Sequence, residues 1–290
     1  MTRTILVTGA SGALGSELVP RLRERGWRVR ALVHGRPAVG ADEAVAGDVR
    51  DEEALAGALN RTDAVIHLAA RTHARRTRDY HAVNVIGTRA LVTAARRGGV
   101  ARLVLASTRA IDPRGGAYSA SKAEAERAVR ESGLDFAIVR LPELYGGRRE
   151  LGVDALVTRV RRGRPVPLVG RGGYEVCPIT LKDAAAALVA AVESPAATGK
   201  TYTLAGECMS MRVFVERCAA ALGTRPRIVR VPVFGVALAS LAATRLPIPL
   251  YPDQLARLRA PKPLPSPEAE AELGFRPLRL EDGLAGLYES

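Results

Sequence analysis

The run Tyr118-Ser-Ala-Ser-Lys122 places a phenol and an amine four residues apart. On a helix that spacing stacks them one turn apart on a single face. A phenol ionises near pH ~10 in water, so acid–base work at neutral pH needs its anion stabilised, and a neighbouring ammonium does that. The ammonium can also hold a ribose hydroxyl. Upstream, the apolar run Leu105-Ala106-Ser107-Thr108 ends in two hydroxyls, and Thr108 can hydrogen-bond a reacting oxygen and fix its orientation. Tyr118 as acid/base, Lys122 as its electrostatic partner and Thr108 as orienting group suit hydride chemistry at an oxygen-bearing carbon. There a proton must travel to or from that oxygen as the hydride moves.

Hydride chemistry needs a carrier, and the N-terminal stretch is built to hold one. Thr8-Gly9-Ala10-Ser11-Gly12-Ala13-Leu14-Gly15 follows an apolar strand and opens a helical pattern. A tight turn, close approach to a pyrophosphate and helix–strand packing each demand a residue without a side chain, and the helix N-terminus faces the phosphate charge. Gly9, Ser11, Gly12, Ala13, Leu14 and Gly15 are therefore expected to cradle a dinucleotide. The second strand leads into Val33-His34-Gly35-Arg36, with no carboxylate to accept from the ribose hydroxyls of NAD. Arg36 and His34 instead suit a 2′-phosphate, which favours NADP, with NAD as the alternative.

These groups require a particular scaffold. Apolar β-branched runs at Thr4–Thr8, Arg28–Val33, 44–46, 64–69, 102–107 and Asp135–Leu141 alternate with helical patterns at 13–25, Glu52–Leu59, 83–97 and 118–131. That alternation defines an α/β chain, a Rossmann-type doubly wound parallel sheet with helices on both faces. From about residue 147 it decays into helical patterns at 153–162, 182–192, 211–222 and 267–273, separated by proline-containing segments. We expect residues 1–146 to form the NAD(P)-binding domain, with some later segments returning to it, and residues 147–290 to form mainly a smaller C-terminal α/β substrate lobe. The longest apolar stretch, 231–243, contains Pro232 and Gly235 and is too short to cross a bilayer, so a buried helix is expected there.

Composition narrows the partners. With 47% hydrophobic and 25% charged residues in 290, the chain is an ordinary globular one. Its net charge of +13 invites a nucleic-acid reading. However, the arginines are scattered through every helix and no aromatic stacking platform accompanies them, so a nucleic-acid partner is not expected. The denser runs, 71–78 and Arg159, Arg161, Arg162 and Arg164, read first as solvated basic faces, with an anionic cofactor or substrate as the alternative. Cys177, Cys208 and Cys218 are odd in number and lack metal-ligand spacing. They are expected to be reduced, buried packing residues in a cytoplasmic protein, and neither a metal nor a membrane is expected. The first residues run straight into a strand and lack the apolar core and cleavage site of a signal peptide.

The spacing Gly9-x-x-Gly12-x-x-Gly15 resembles that of the short-chain dehydrogenase/reductase superfamily, and further motifs resemble its extended branch, the NAD-dependent epimerase/dehydratase group. They are Gly47-Asp48-Val49, His67-Leu68-Ala69-Ala70, Asn84-Val85-Ile86-Gly87-Thr88, the Tyr118 and Lys122 pair, and Arg140-Leu141-Pro142-Glu143-Leu144-Tyr145-Gly146. Ile179-Thr180-Leu181-Lys182-Asp183 and Leu273-Gly274-Phe275-Arg276-Pro277 extend the likeness to the C-terminal part. The resemblance implies that Asp48 and Val49 touch the adenine. It also implies that Leu68, Ala69, Ala70, Asn84, Ser107, Leu141 and Pro142 line the cofactor, and that Thr108, Tyr118 and Lys122 carry catalysis. Arg71, Arg109 and Glu143 are the expected substrate contacts. Many relatives hold a nucleotide-sugar diphosphate with an Asn and an Arg; the matching positions here are Glu143 and Val176, which offer a repelling carboxylate and no donor. The short gap between Thr108 and Tyr118 likewise leaves little loop for a large substrate. The expected activity is an NADP-dependent ketone reductase or secondary alcohol dehydrogenase on a small or medium metabolite. The alternatives are a nucleotide-sugar 4-epimerase or 4-ketoreductase and a non-catalytic dinucleotide-binding sensor or scaffold. The resemblance also suggests a homodimer formed through the helices at 83–97 and 118–131.

Overall fold

Seven parallel strands form the centre of the protein in the order β11-β6-β5-β4-β1-β2-β3. They are β1 (Thr4–Thr8), β2 (Arg28–Val33), β3 (Glu43–Ala46), β4 (Ala64–His67), β5 (Arg102–Thr108), β6 (Asp135–Leu141) and β11 (Lys200–Thr203). The computed structural model describes residues 2–147, 152–236 and 253–288. Strand order reverses between β1 and β4, and in such sheets ligands bind in the crevice at the carboxyl ends of the strands flanking that reversal. The expected doubly wound sheet is therefore present. Each expected strand lies within two residues of its observed bounds.

The helices of the first half are α1 (Ala13–Glu24), α2 (Glu52–Leu59), α3 (Thr77–Tyr80), α4 (Gly87–Arg97) and α5 (Gly116–Arg130). The helix expected at 83–97 begins earlier, and a π-helical segment, His81–Ile86, joins α3 to α4. One apolar cluster, including Ile5, Leu18, Leu22, Val104 and Leu188, fills one face of the sheet. A second, including Leu6, Leu55, Leu91 and Leu103, fills the other.

Beyond β7 (Leu144–Tyr145) come α6 (Val153–Arg161), β8 (Pro165–Val169), β9 (Glu175–Val176), β10 (Ile179–Thr180), α7 (Leu181–Glu193), β12 (Met209–Ser210), α8 (Met211–Ala221) and β13 (Arg227–Val231). Among the described residues, α9 (Gln254–Arg259), α10 (Glu268–Leu273) and α11 (Leu280–Tyr288) lie further along the chain. Two of these elements return to the central sheet. Strand β11 pairs in parallel with β6, and α7, started by a reciprocal Thr180–Asp183 capping box, packs into the first core. A third core around Val157, Phe214, Val215 and Leu284 unites α6, α8 and α11. Residues 233–236 of the apolar stretch 231–243 are helical, and the stretch from 237 on lies outside the described residues. Among those described, Phe234 is exposed.

The cysteine reading is corrected for two of the three residues: Cys177 and Cys208 form a disulfide, while Cys218 is free and buried. The cause is strand pairing. Strands β9 and β12 are antiparallel with Val176 opposite Met209, so Cys177 and Cys208, the next residues outward, face each other with Cα atoms 4.1 Å apart. That pairing joins segments 31 residues apart and left no mark in the cysteine spacing. An odd cysteine count therefore supplies no argument about compartment here. No helix among the described residues is long and apolar enough to cross a membrane.

Candidate active site

The glycine turn sits at the strand reversal. Gly9 has φ +72°, and a Cβ there would lie 2.7 Å from the Ala69 backbone nitrogen, on the loop leaving β4. Only glycine meets both demands. At Gly15 a Cβ would lie 2.3 Å from the Ala10 carbonyl oxygen, so the first turn of α1 closes directly onto the loop. Gly12 caps α1 with no side chain on its N–H groups and no acidic residue in the first turn. The helix thus offers its N–H groups and positive dipole end to an anion, in the setting of Ser11, Ala13 and Leu14. This cradle fits the pyrophosphate of a dinucleotide.

The flanking walls come from β3, β4 and the π-segment. His67 is fully buried, accepts from the Thr8 hydroxyl at Nδ1 (2.6 Å) and donates from Nε2 to the Thr88 hydroxyl (3.0 Å), which itself donates to the Asn84 carbonyl. Burial, with Lys122 nearby, drops its pKa to about 3, so it is a neutral brace that fixes Leu68, Ala69 and Ala70. Asn84 is likewise committed to protein. Its Oδ1 accepts from Arg71 N (2.7 Å), and its Nδ2 donates to Arg71 O (3.1 Å) and to Ser121 Oγ (2.9 Å). It therefore positions the loop after β4 against α5. Val49 packs where a side chain at Gly87 would stand, 2.6 Å from its Cγ1. Asp48 is gripped by Arg50 through two side-chain bonds (2.8 and 2.7 Å), which hold its carboxyl down at about 2. His34 and Arg36 are exposed at the end of β2.

Thr108 ends β5 and Tyr118 lies in the first turns of α5, and both are buried. The Thr108 hydroxyl accepts from Ala110 N (3.1 Å) and stands close enough to the phenol to favour its ionisation. Burial pushes the phenol above its usual value; the Arg257 charge and the Thr108 hydroxyl pull it down, and Asp253 pushes it up. Lys122 is buried in α5 behind it. Its ammonium donates to the Ala106 carbonyl (2.9 Å), the strand neighbour behind the phenol, and burial lowers its pKa to about 8. Ser107 also turns away from the cofactor crevice and donates to Glu126 (2.6 Å).

Glu126 was not singled out from the sequence, although it lies four residues past Lys122 on the same helix face. It is 1% exposed and collects Ser107, both arms of Arg140 (2.8 and 2.7 Å) and Arg130 (2.6 Å). Despite burial, those bonds hold its carboxyl below the usual range. Also missed were Tyr80, at the end of α3, and Asp253 and Arg257, which the return of α9 brings onto Tyr118. The guanidinium of Arg257 lies over the phenol ring, 4.7 Å from its centroid, and Tyr80 meets the ring edge-on at 5.7 Å.

The expected substrate residues divide. Arg71 is exposed, with only its backbone held. Arg109 is buried, and its donors go to Pro263 O (3.0 Å), Cys177 Sγ (2.9 Å) and Glu175 Oε1 (2.9 Å), so its guanidinium is a brace between the sheet and the second lobe. Glu143 accepts from Cys177 N (3.3 Å), and Val176 is buried in the third core. Leu141 is buried and accepts from Arg109 N (2.8 Å), with Pro142 beside it half-buried. Arg148 and Arg149, which could have served a diphosphate in place of Val176, lie outside the described residues. Arg171 is exposed.

A dinucleotide cradle at the sheet's reversal point, opening beside a Thr–Tyr–Lys cluster, defines an NAD(P)-dependent oxidoreductase or epimerase. Comparison with known proteins agrees. The model of the NAD dependent epimerase/dehydratase family matches residues 5–205, and the chain belongs to that family. A ceramide reductase of Caulobacter vibrioides is 33% identical over 240 residues, covering 80% of this chain and 74% of that protein. A 2-alkyl-3-oxoalkanoate reductase of Stenotrophomonas maltophilia is 34% identical, covering 77% of each. Among solved structures, MoeE5 in complex with UDP-glucose and NAD superposes with a TM-score of 0.81 at 25% identity, over 99% of this chain and 97% of that one.

Proposed function

We propose that this enzyme is an NADP-dependent ketone reductase, running as a secondary alcohol dehydrogenase in reverse, on a small or medium metabolite. The observation that carries the reading is the buried Tyr118 phenol at the start of α5, beside the buried Thr108 that ends β5 at the carboxyl edge of the sheet. When bound, the dinucleotide would supply the hydride. Tyr118 gives its proton to the oxygen that takes up the carbonyl electron pair, while the Thr108 hydroxyl holds that oxygen in place. Burial raises the phenol's pKa and so favours its protonated form, the form a reduction requires. The substrate side supports a ketone over a diphosphate: Glu143 presents a carboxylate, Val176 is buried and Arg109 is occupied. The two reductase relatives act, by name, on ceramide and on a 2-alkyl-3-oxoalkanoate, which points the search towards ketones carrying alkyl chains.

NADP rests on Arg36 and His34 at the end of β2 and on Asp48, the nearby carboxylate, being held by Arg50. Affinities for NADPH and NADH compared side by side test this; equal affinity, or a preference for NADH, overturns it. The reductase reading is tested by screening 3-oxo esters, alcohols and UDP- or dTDP-sugars while following NADPH absorbance, with a direct epimer assay alongside. Turnover confined to nucleotide sugars would favour the second reading, a 4-epimerase or 4-ketoreductase, which the likeness to MoeE5 with UDP-glucose supports. Tyr118→Phe should cut turnover by at least about a hundredfold and leave cofactor affinity unchanged. The exposed charged faces of α4 and α5, where Arg89 and Glu124 approach to 3.7 Å, suit a cytoplasmic homodimer, which light scattering would detect.

A further inference from the structure

Besides Lys122 on its own helix, the phenol has a second cation beside it. Lys122 reaches back to Ala106 O, while the ring face of Tyr118 is covered by Arg257 from α9. Arg257 is held there from several sides. Its Nη1 donates to Thr72 O (3.1 Å), its Nε lies 3.5 Å from Asp253 Oδ2, and its own carbonyl accepts from Lys262 Nζ (2.8 Å). Asp253 is buried and accepts at Oδ1 from the Tyr80 hydroxyl (2.9 Å), which in turn accepts from Ala74 N (2.9 Å). Gly116, at the start of α5, has φ +78°, and a Cβ there would lie 3.0 Å from Asp253 Cβ, so α9 sits directly on the turn that carries Tyr118. Tyr80 braces the ring edge.

From this arrangement we infer that Arg257 is the positioning residue that sets the charge balance of Tyr118, with Asp253 and Tyr80 fixing the guanidinium over the ring. The inference rests on Tyr118 being the acid/base. The groups facing the phenol are Thr108 from β5, Lys122 from its own helix, Tyr80 from α3, and Asp253 and Arg257 from α9. Asp253 opposes ionisation and Arg257 favours it, and the guanidinium lies 4.7 Å from the ring centroid. A cation at the ring face attracts the phenolate more than the phenol, so removing it moves ionisation to higher pH. Proton acceptance by Tyr118 in alcohol oxidation would then require more alkaline solution, and proton donation in ketone reduction would persist to higher pH.

The test compares Arg257→Gln and Arg257→Lys in the full-length enzyme. Tyrosinate absorbance is titrated for each protein and for its Tyr118→Phe partner, and the difference isolates Tyr118 without any substrate. Circular dichroism at each pH confirms that the fold persists. Arg257→Gln is expected to shift that ionisation up by about one pH unit and Arg257→Lys to restore most of it. In turnover with NADPH and a 3-oxo ester, the alkaline limb of kcat should move by the same amount while KM for NADPH stays within twofold. An unmoved Tyr118 titration in Arg257→Gln overturns the inference. If Tyr118→Phe itself retains turnover, it is the acid/base assignment that falls, a separate result.

Discussion

Replacing Glu126 with alanine probes the layer behind the active site. Its carboxylate is 1% exposed and meets Ser107, Arg140 and Arg130 at once. Arg130 is 41% exposed, so its pair is screened by water and contributes little. Arg140, at 21%, and Ser107 would be left facing a vacated buried site. Breaking a buried pair by removing one partner costs about 3–5 kcal/mol, and Arg140's partial access to water puts this case near 3 kcal/mol. For 290 residues the unfolding entropy is about 0.6 kcal/mol/K, so the melting temperature should drop by about 5 °C. Glu126→Gln should lose about half as much, because its amide oxygen still accepts from Ser107. The negative charge also raises the Lys122 pKa, so both variants should push the amine below about 8 and leave it partly neutral at neutral pH. Thermal unfolding by circular dichroism reads the first effect. A change below about 1 °C in Glu126→Ala would refute the assignment of a buried ion-pair network.

Further outcomes follow from the same geometry. Gly9→Ala combines a left-handed φ with a 2.7 Å approach to Ala69 N, so NADPH affinity measured by calorimetry should fall at least about tenfold; an unchanged affinity would contradict the cradle. His67 is neutral when folded, with a pKa of about 3, but ionises when unfolded near pH ~6.5. The unfolded state therefore binds the extra proton, and stability should fall as pH drops through that window, by about 2–3 kcal/mol at pH ~4.5. Urea unfolding at the two pH values checks this, and His67→Gln should flatten the slope. Reducing the Cys177–Cys208 bond, which spans 31 residues, should cost about 3–4 kcal/mol of stability. Melting with and without reductant, beside Cys177→Ser, reads this; identical curves for the oxidised and reduced protein would count against it.

The parts of the fold legible in the sequence were those coded locally. Six of the seven sheet strands carry their own apolar run, β11 (Lys200–Thr203) being the exception, and the glycine turn is written in consecutive residues from Gly9 to Gly15, so these were readable without contacts. The Thr108–Tyr118 pairing was readable because the end of one strand and the start of the next helix are forced together by the βα unit. What could not be read depends on distant segments meeting. Cys177 and Cys208 are opposed only because two short strands pair antiparallel. Lys122 shares the face expected of it, yet its long chain turns to Ala106 O, a choice set by burial and not by spacing. Arg257 lies far along the chain from Tyr118, and nothing around it in sequence marks it as different from the other arginines.

The placement of charge also separates the two ends of the crevice. At the cofactor end, the N-terminus of α1 has no side-chain cap and no carboxylate in its first turn, and Arg36 is exposed. At the substrate end, each cation near Thr108 already has an acidic or carbonyl partner: Arg109 has Glu175 and Pro263 O, Arg257 has Asp253 and Thr72 O, and Lys262 has Arg257 O. Bringing a second diphosphate there would mean displacing one of these pairs and approaching Glu143 and Glu175. At about 5 Å and an effective dielectric of about 20, the Glu143 carboxylate repels a unit negative charge by about 3 kcal/mol. A ketone bearing an alkyl chain meets no such opposition. That asymmetry supports the reductase reading over sugar-nucleotide chemistry on the same fold.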